Sequence, residues 1–159
     1  MTDGDTYLKG LEGRLAGDGC AVTHESLGLV GYKVQVKALS RMHVFLVAAK
    51  ADRVGEDELN AFIEATVRLA VERKGRWGGA QSGVIVLPVL VAAAADESAV
   101  ALTRRPYRLK LAGFATMAQP AVVDLSAGRV WTFRGTRLWG YAFNSLIKQK
   151  YTRYLPDPV

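Results

Sequence analysis

The chain has 159 residues, half of them hydrophobic and 23% charged, the composition of one ordinary globular domain. That excludes a collagen-like, a disulfide-framework and a fully disordered chain. The net charge of +6 is uneven: residues 1–100 carry 11 Lys/Arg against 13 Asp/Glu, whereas residues 101–159 carry 10 against 2.

Leu8, Leu11 and Leu15 fall on one helical face, which predicts a helix over 3–16. Asp3 and Asp5 suit its start, and Gly17 and Gly19 its end. Residues 20–25 read as a short strand. Over 28–38, Tyr32, Val34, Val36 and Ala38 alternate with Lys33, Gln35 and Lys37. This is the pattern of a strand with an apolar and a charged face. Ser40-Arg41 reads as a turn, and Met42–Ala49 as a strand buried on both sides. Residues 55–74 form the clearest helix, with Leu59, Phe62, Ile63, Val67, Ala70 and Val71 on one stripe. Glu56, Asp57 and Glu58 in its first turn and Arg73 and Lys74 in its last complement the helix dipole, and Gly75 is a natural stop.

Gly83–Ala92 reads as a central strand with a bulge or an edge at Pro88, which has no N–H to give a ladder. A short helix capped by Asp96 is expected to stop before Pro106. Residues 107–117 read as extended. Residues 121–125 and 129–133 read as a hairpin across Ser126-Ala127-Gly128. Thr136 is expected to cap a last helix over 137–154, with Trp139, Phe143, Leu146 and Ile147 inward.

Catalytic and metal motifs are sparse. The single cysteine, Cys20, allows no intrachain disulfide and reads as core, and it suits a reducing cytoplasm. Two histidines, His24 and His43, are too few for a zinc site. The acidic start, Met1-Thr2-Asp3-Gly4-Asp5, has no apolar stretch behind it and does not read as a secretory signal. The apolar run at 83–95 is too short for a membrane span. No cofactor and no metal is expected. A hidden active site would need Asp52, Lys50, His43 and Glu25 to converge.

The charge layout points instead to binding. Arg104, Arg105, Arg108 and Lys110 form one basic group; Arg129, Arg134 and Arg137 flank the hairpin; Lys148, Lys150 and Arg153 stud the last helix, with Tyr151 and Tyr154 beside them. Basic side chains neutralise phosphates or carboxylates, and aromatic rings stack on unpaired bases. The loop 75–79 matches no phosphate-loop spacing and reads as a connector, although Arg76 and Trp77 together could grip an anion or a base. Asp124 sits on an apolar strand, with Arg129 across the hairpin as its natural partner.

The order helix, three strands, helix, strand over residues 3–92 resembles the core of the restriction-endonuclease-like, PD-(D/E)xK superfamily. Such nucleases hold a divalent ion with an acid on the second strand and an acid-x-Lys on the third. Here the third strand reads Ala48-Ala49-Lys50, and the second carries Gln35-Val36-Lys37 with Glu25 as the nearest preceding acid. Lys50 matches, but Ala48 stands where the carboxylate belongs, so the resemblance implies an inactive relative. With a hairpin and a last helix added, the order is also similar to type III secretion chaperones, which bind proteins without chemistry; those tend to be acidic, and this chain is basic.

The expectation is one α+β (mixed α/β) domain over 1–159. It has a central, mostly antiparallel sheet of about five or six strands and three main helices. The expected function is that of a non-catalytic cytoplasmic binding or adaptor domain. Its basic C-terminal third would engage an acidic partner, either an acidic protein surface or nucleic acid. The alternative is a nucleic-acid-binding domain on a degenerate nuclease-like fold that lacks the metal-binding acids. An unpaired strand edge would invite a second copy of the chain.

Overall fold

The structure is a computed structural model and describes residues 2–37, 40–75, 82–105, 108–111, 114–133 and 141–158. Helix α1 (Gly4–Gly17) is followed by β1 (Ala21–Glu25), β2 (Gly28–Lys37), β3 (Ser40–Val54), α2 (Glu56–Gly75) and β4 (Ser82–Ala95). Then come α3 (Glu97–Thr103), β5 (Arg108–Leu111), β6 (Phe114–Ala118), β7 (Ala121–Asp124), β8 (Arg129–Thr132) and α4 (Tyr141–Tyr154). The α+β architecture around one central sheet is as expected, with eight strands among the described residues.

The strands β1, β2 and β3 form an antiparallel meander, and α2 carries the chain back so that β4 lies parallel to β3. The far side of β4 is shared. Strand β6 pairs with its first half and β7 with its second, both parallel, and β5 and β8 pair antiparallel outside them. The register from Val84↔Thr116 to Ala92↔Asp124 is constant across the break at Gln119-Pro120.

That break refines the expectation for Pro88. Toward β3 the strand is continuous, with Val47 in register with Pro88, whereas its outer ladder is interrupted between Val86 and Val89, a local edge at the proline. Val86 and Ala92 turn their carbonyls to the outer strands, where Gln119 and Leu125 donate to them at 3.0 Å each. Position 88 therefore turns its missing N–H the same way, into the gap between β6 and β7.

Two apolar layers enclose the sheet. On one face α1 and α4 bring Tyr7, Leu11, Leu15, Leu146, Ile147 and Tyr154 against Leu46, Leu87 and Val91. On the other, α2 and α3 bring Leu59, Ile63, Val67, Ala99 and Leu102 against Phe45, Val47, Val86 and Leu90. Alternate residues of β3 and β4 thus enter opposite layers, which is why both strands read as continuous apolar runs.

Local signals explain the helix ends. Asp3 Oδ1 accepts from the Thr6 N–H at 2.7 Å. Asp18 caps the other end of α1, and Gly19 follows at φ +85°. Asp96 is the N-cap residue of α3 but makes no side-chain cap bond; it pairs instead with Arg53 at 2.5 Å.

Three local expectations change. Ser40 and Arg41 are strand residues, paired with Lys37 and Val36, so the connection falls at 38–39, outside the described residues. Gly75 is the last residue of α2 rather than its stop. Val34 and Val36 are exposed, at 43% and 67%, although their alternation predicts an inward face. For the last helix, Thr136 and Trp139 lie outside the described residues, as does the Phe143 side chain; Leu146 and Ile147 are buried.

Candidate functional site

The basic C-terminal tract does not form one surface. Arg104 and Arg105 close α3 on the α2/α3 face, whereas Lys148, Lys150 and Arg153 belong to α4 on the opposite face. Arg76, Trp77, Arg134 and Arg137 lie outside the described residues. Arg108 and Lys110 lie on β5, opposite Met117 and Ala115, with only their backbone described.

On the first face the centre is Trp131, half-buried on edge strand β8. The Arg104 guanidinium carbon lies 5.5 Å from its ring centroid and that of Arg129 5.6 Å, both within cation–π range. The indole N–H donates to Asp124 Oδ2 at 3.3 Å. Asp124 is buried and holds the β7–β8 turn: its Oδ1 accepts from Ser126 N–H (3.1 Å), Ser126 Oγ–H (2.7 Å) and Ala127 N–H (3.2 Å). The expected Asp124–Arg129 pair holds only in register. The carboxylate spends its lone pairs on the turn and the indole, and Arg129 lies on Trp131 instead. On the α3 side, the buried Gln119 Nε2 donates to the Thr103 and Arg105 carbonyls at 3.3 and 3.4 Å and fixes the chain at the arginines. Arg104 and Arg105 are exposed, and Arg104 has one distant acid, Glu97 at 3.7 Å.

On the second face the tract turns inward. Lys150, Tyr151 and Tyr154 are buried, which corrects their expected place on a contact surface. Lys150 Nζ donates to Asp18 Oδ2 at 2.9 Å and the Tyr154 hydroxyl donates to the same oxygen. Arg153 lies 3.1 Å from Asp18 Oδ1, and Lys33 Nζ donates to the Asp18 carbonyl at 2.7 Å. Burial alone would raise the Asp18 pKa. The bonds from Tyr154 and Lys150 and the charges of Lys150 and Lys33 more than reverse this and hold it at about 2. Burial, and then the bond to Asp18, push the Tyr154 hydroxyl far up. Cys20 is half-buried with Sγ 3.5 Å from that hydroxyl. Asp18 has no sequence signature: its partners on α4 lie more than 130 residues away.

The four residues of a hidden active site do not converge. Glu25 pairs with Arg73, Lys50 donates to Asp5 at 2.9 Å, and the buried His43 bonds the Tyr32 hydroxyl at 2.7 Å through Nδ1. Glu25 and Lys50 line one cavity of about 440 Å³ between α1, the β1–β2 turn and β3, but with different partners; Lys50 and Asp52 line another, and His43 lines neither. Burial opposes the Glu25 charge, yet the bonds from Arg73 and Thr23 keep its carboxyl below the usual range. Among the described residues no group of three or more His, Cys, Asp and Glu could hold a metal ion, and no helix is long and apolar enough to cross a membrane.

Compared with known proteins, the chain matches no family model, no curated protein and no solved structure.

Proposed function

We propose that the protein is a non-catalytic cytoplasmic binding domain that engages an acidic partner through Arg104, Arg105 and Arg129 around Trp131. The observation that carries this reading is the flanking of the Trp131 ring by two guanidinium groups, at 5.5 and 5.6 Å. A guanidinium held against an indole stays charged and keeps its N–H fork free at the edge. It therefore offers a pre-oriented bidentate contact to carboxylate or phosphate. The reading narrows the basic C-terminal third to its α3–β8 part, because Lys150 and Arg153 of α4 are drawn to Asp18 and Lys148 lines a cavity on the opposite face.

The partner reading favoured here is an acidic protein surface. The test is fluorescence anisotropy with a polyglutamate peptide and with single- and double-stranded oligonucleotides, at about 50 mM salt, where phosphate contacts are strong. Binding of polyglutamate that is lost in an Arg104→Glu, Arg105→Glu, Arg129→Glu variant supports the reading. Failure to bind polyglutamate, or equal binding by the variant, overturns it.

A second reading, a nucleic-acid-binding domain on a degenerate nuclease-like core, draws on one observation. The sheet runs β1-β2-β3-β4 with β3 and β4 parallel, and α1 and α2 cover opposite faces. Oligonucleotide binding that falls steeply with salt while polyglutamate stays unbound would select it. Strand β1 pairs only with β2 among the described strands. Its outer edge is where we place a second copy of the chain, and sedimentation across a range of protein concentrations decides that point.

A further inference from the structure

We infer that the cavity between β8, α4 and the C-terminal segment is a binding site for a small amphipathic zwitterion, such as a hydrophobic α-amino acid. The cavity measures about 380 Å³, and Val130, Phe133 and Leu155 supply apolar wall. That volume lies in the range of small-molecule sites, which pair mostly apolar walls with a few fixed polar groups.

The polar groups set the ligand class. Lys148 and Asp157 both line the cavity, and neither forms an ion pair among the described residues. Lys148 is half-buried, with its stem against the lining and its ammonium at the cavity mouth as lysines at apolar surfaces place it. One Asp157 oxygen, Oδ1, accepts from the Val130 N–H at 2.9 Å, which ties the carboxylate to the edge of β8. Two opposite charges thus face one part-apolar space without closing on each other. A lone carboxylate ligand would suit Lys148 and be repelled by Asp157; a lone amine would meet the reverse. A zwitterion satisfies both, with its side chain against Phe133 and Leu155. Thr152, also on the lining, adds a hydroxyl that can donate or accept.

Strand β8, α4 and the C-terminal segment supply the lining. Tyr151 of the lining donates through its hydroxyl to the Gln119 carbonyl, and the Tyr7 hydroxyl donates to the Pro156 carbonyl at 2.8 Å, so α4 and the C-terminal segment are each tied to the rest of the fold. The inference is independent of the arginine surface, which lies on the other face of the sheet.

Calorimetric titration of the full chain with L-leucine, 4-methylpentanoate and 3-methylbutylamine tests it. Saturable leucine binding is expected, with each single-charge probe at least about tenfold weaker, the loss of one charge-assisted contact. Lys148→Met should weaken leucine by a similar factor and remove the penalty on the amine. Asp157→Asn, which keeps an acceptor for Val130, should remove the penalty on the carboxylate. Should near-UV circular dichroism show Lys148→Met misfolded, Lys148→Gln takes its place. Absence of saturable leucine binding at millimolar concentration overturns the inference, as does unchanged binding in both variants or 4-methylpentanoate binding as tightly as leucine.

Discussion

The hydroxyl of Tyr151, on α4, donates to the backbone carbonyl of Gln119, at the break between β6 and β7. The parity of β4 aims that carbonyl at position 88, where a proline has no hydrogen to give. A side chain from the helical layer thus serves an acceptor that the sheet leaves open. Removing the hydroxyl in Tyr151→Phe should cost about 1–3 kcal/mol, the penalty of under-satisfying a buried acceptor. In a Pro88→Ala background position 88 regains an N–H, and the cost of Tyr151→Phe should shrink. Urea denaturation of the four chains of this cycle measures the coupling; strict additivity would rule the relationship out.

Asp18 joins α1 to α4 through Lys150, and both side chains are nearly buried, at 9% and 6% exposure. Asp18→Asn should destabilise the fold by about 3–5 kcal/mol, because it strands a buried ammonium. The pH dependence follows from a folded pKa of about 2 against an ordinary value of 3.8. A lowered carboxylate pKa stabilises the folded state above the unfolded value, and that contribution drains away as pH falls through the folded one. The stability gap between wild type and Asp18→Asn should therefore be constant above pH 5. It should narrow by about 2 kcal/mol between pH 4 and pH 2. Denaturation of both proteins across that window checks the sign; a gap that widens on acidification would refute it.

Element types were legible where burial repeats at short range. The α2 stripe from Leu59 to Ala70 and the two-sided burial of Met42–Ala48 are visible in the chain and present in the fold. What could not be read are pairings set by distant residues. Nothing near Lys150 or Tyr154 announces that their acid is Asp18, and nothing near Arg129 says that Asp124 will turn to Ser126, Ala127 and Trp131 instead. The candidate surface was legible as charge but not as geometry, because counting arginines along the chain cannot say which face of the sheet each element covers.

Gly28 makes a sharper prediction than the other glycines. It opens β2 at φ +149°, and a Cβ there would lie 2.2 Å from the Ala48 carbonyl oxygen, which is backbone of β3 and cannot step aside. Gly28→Ala should cost more than about 2 kcal/mol from strained φ and the clash together. At Gly13, a helical position with nothing within 4 Å of the built Cβ, Gly13→Ala should stabilise by about 0.5–1 kcal/mol. Thermal melts of the two variants should move in opposite directions, and a shared direction would exclude this account.

The faces of β2 give the last prediction. Alternation alone puts Val34 and Val36 inside and Lys33 outside, yet both valines are exposed and Lys33 reaches the Asp18 carbonyl at 2.7 Å. The same face is covered at Tyr32, whose ring packs 4.8 Å from that of Phe45, and uncovered two residues on. Val36→Thr should therefore change stability by less than about 0.5 kcal/mol, as exposed positions do. Leu87→Ala, at a fully buried position of β4, should cost about 2–5 kcal/mol through lost transfer energy and a cavity. Lys33→Met keeps the apolar stem but removes the donor, and should cost about 1 kcal/mol. A Val36→Thr cost as large as that of Leu87→Ala would mean that the β2–β3 arm packs against something in solution, and the exposure of that face would have to be abandoned.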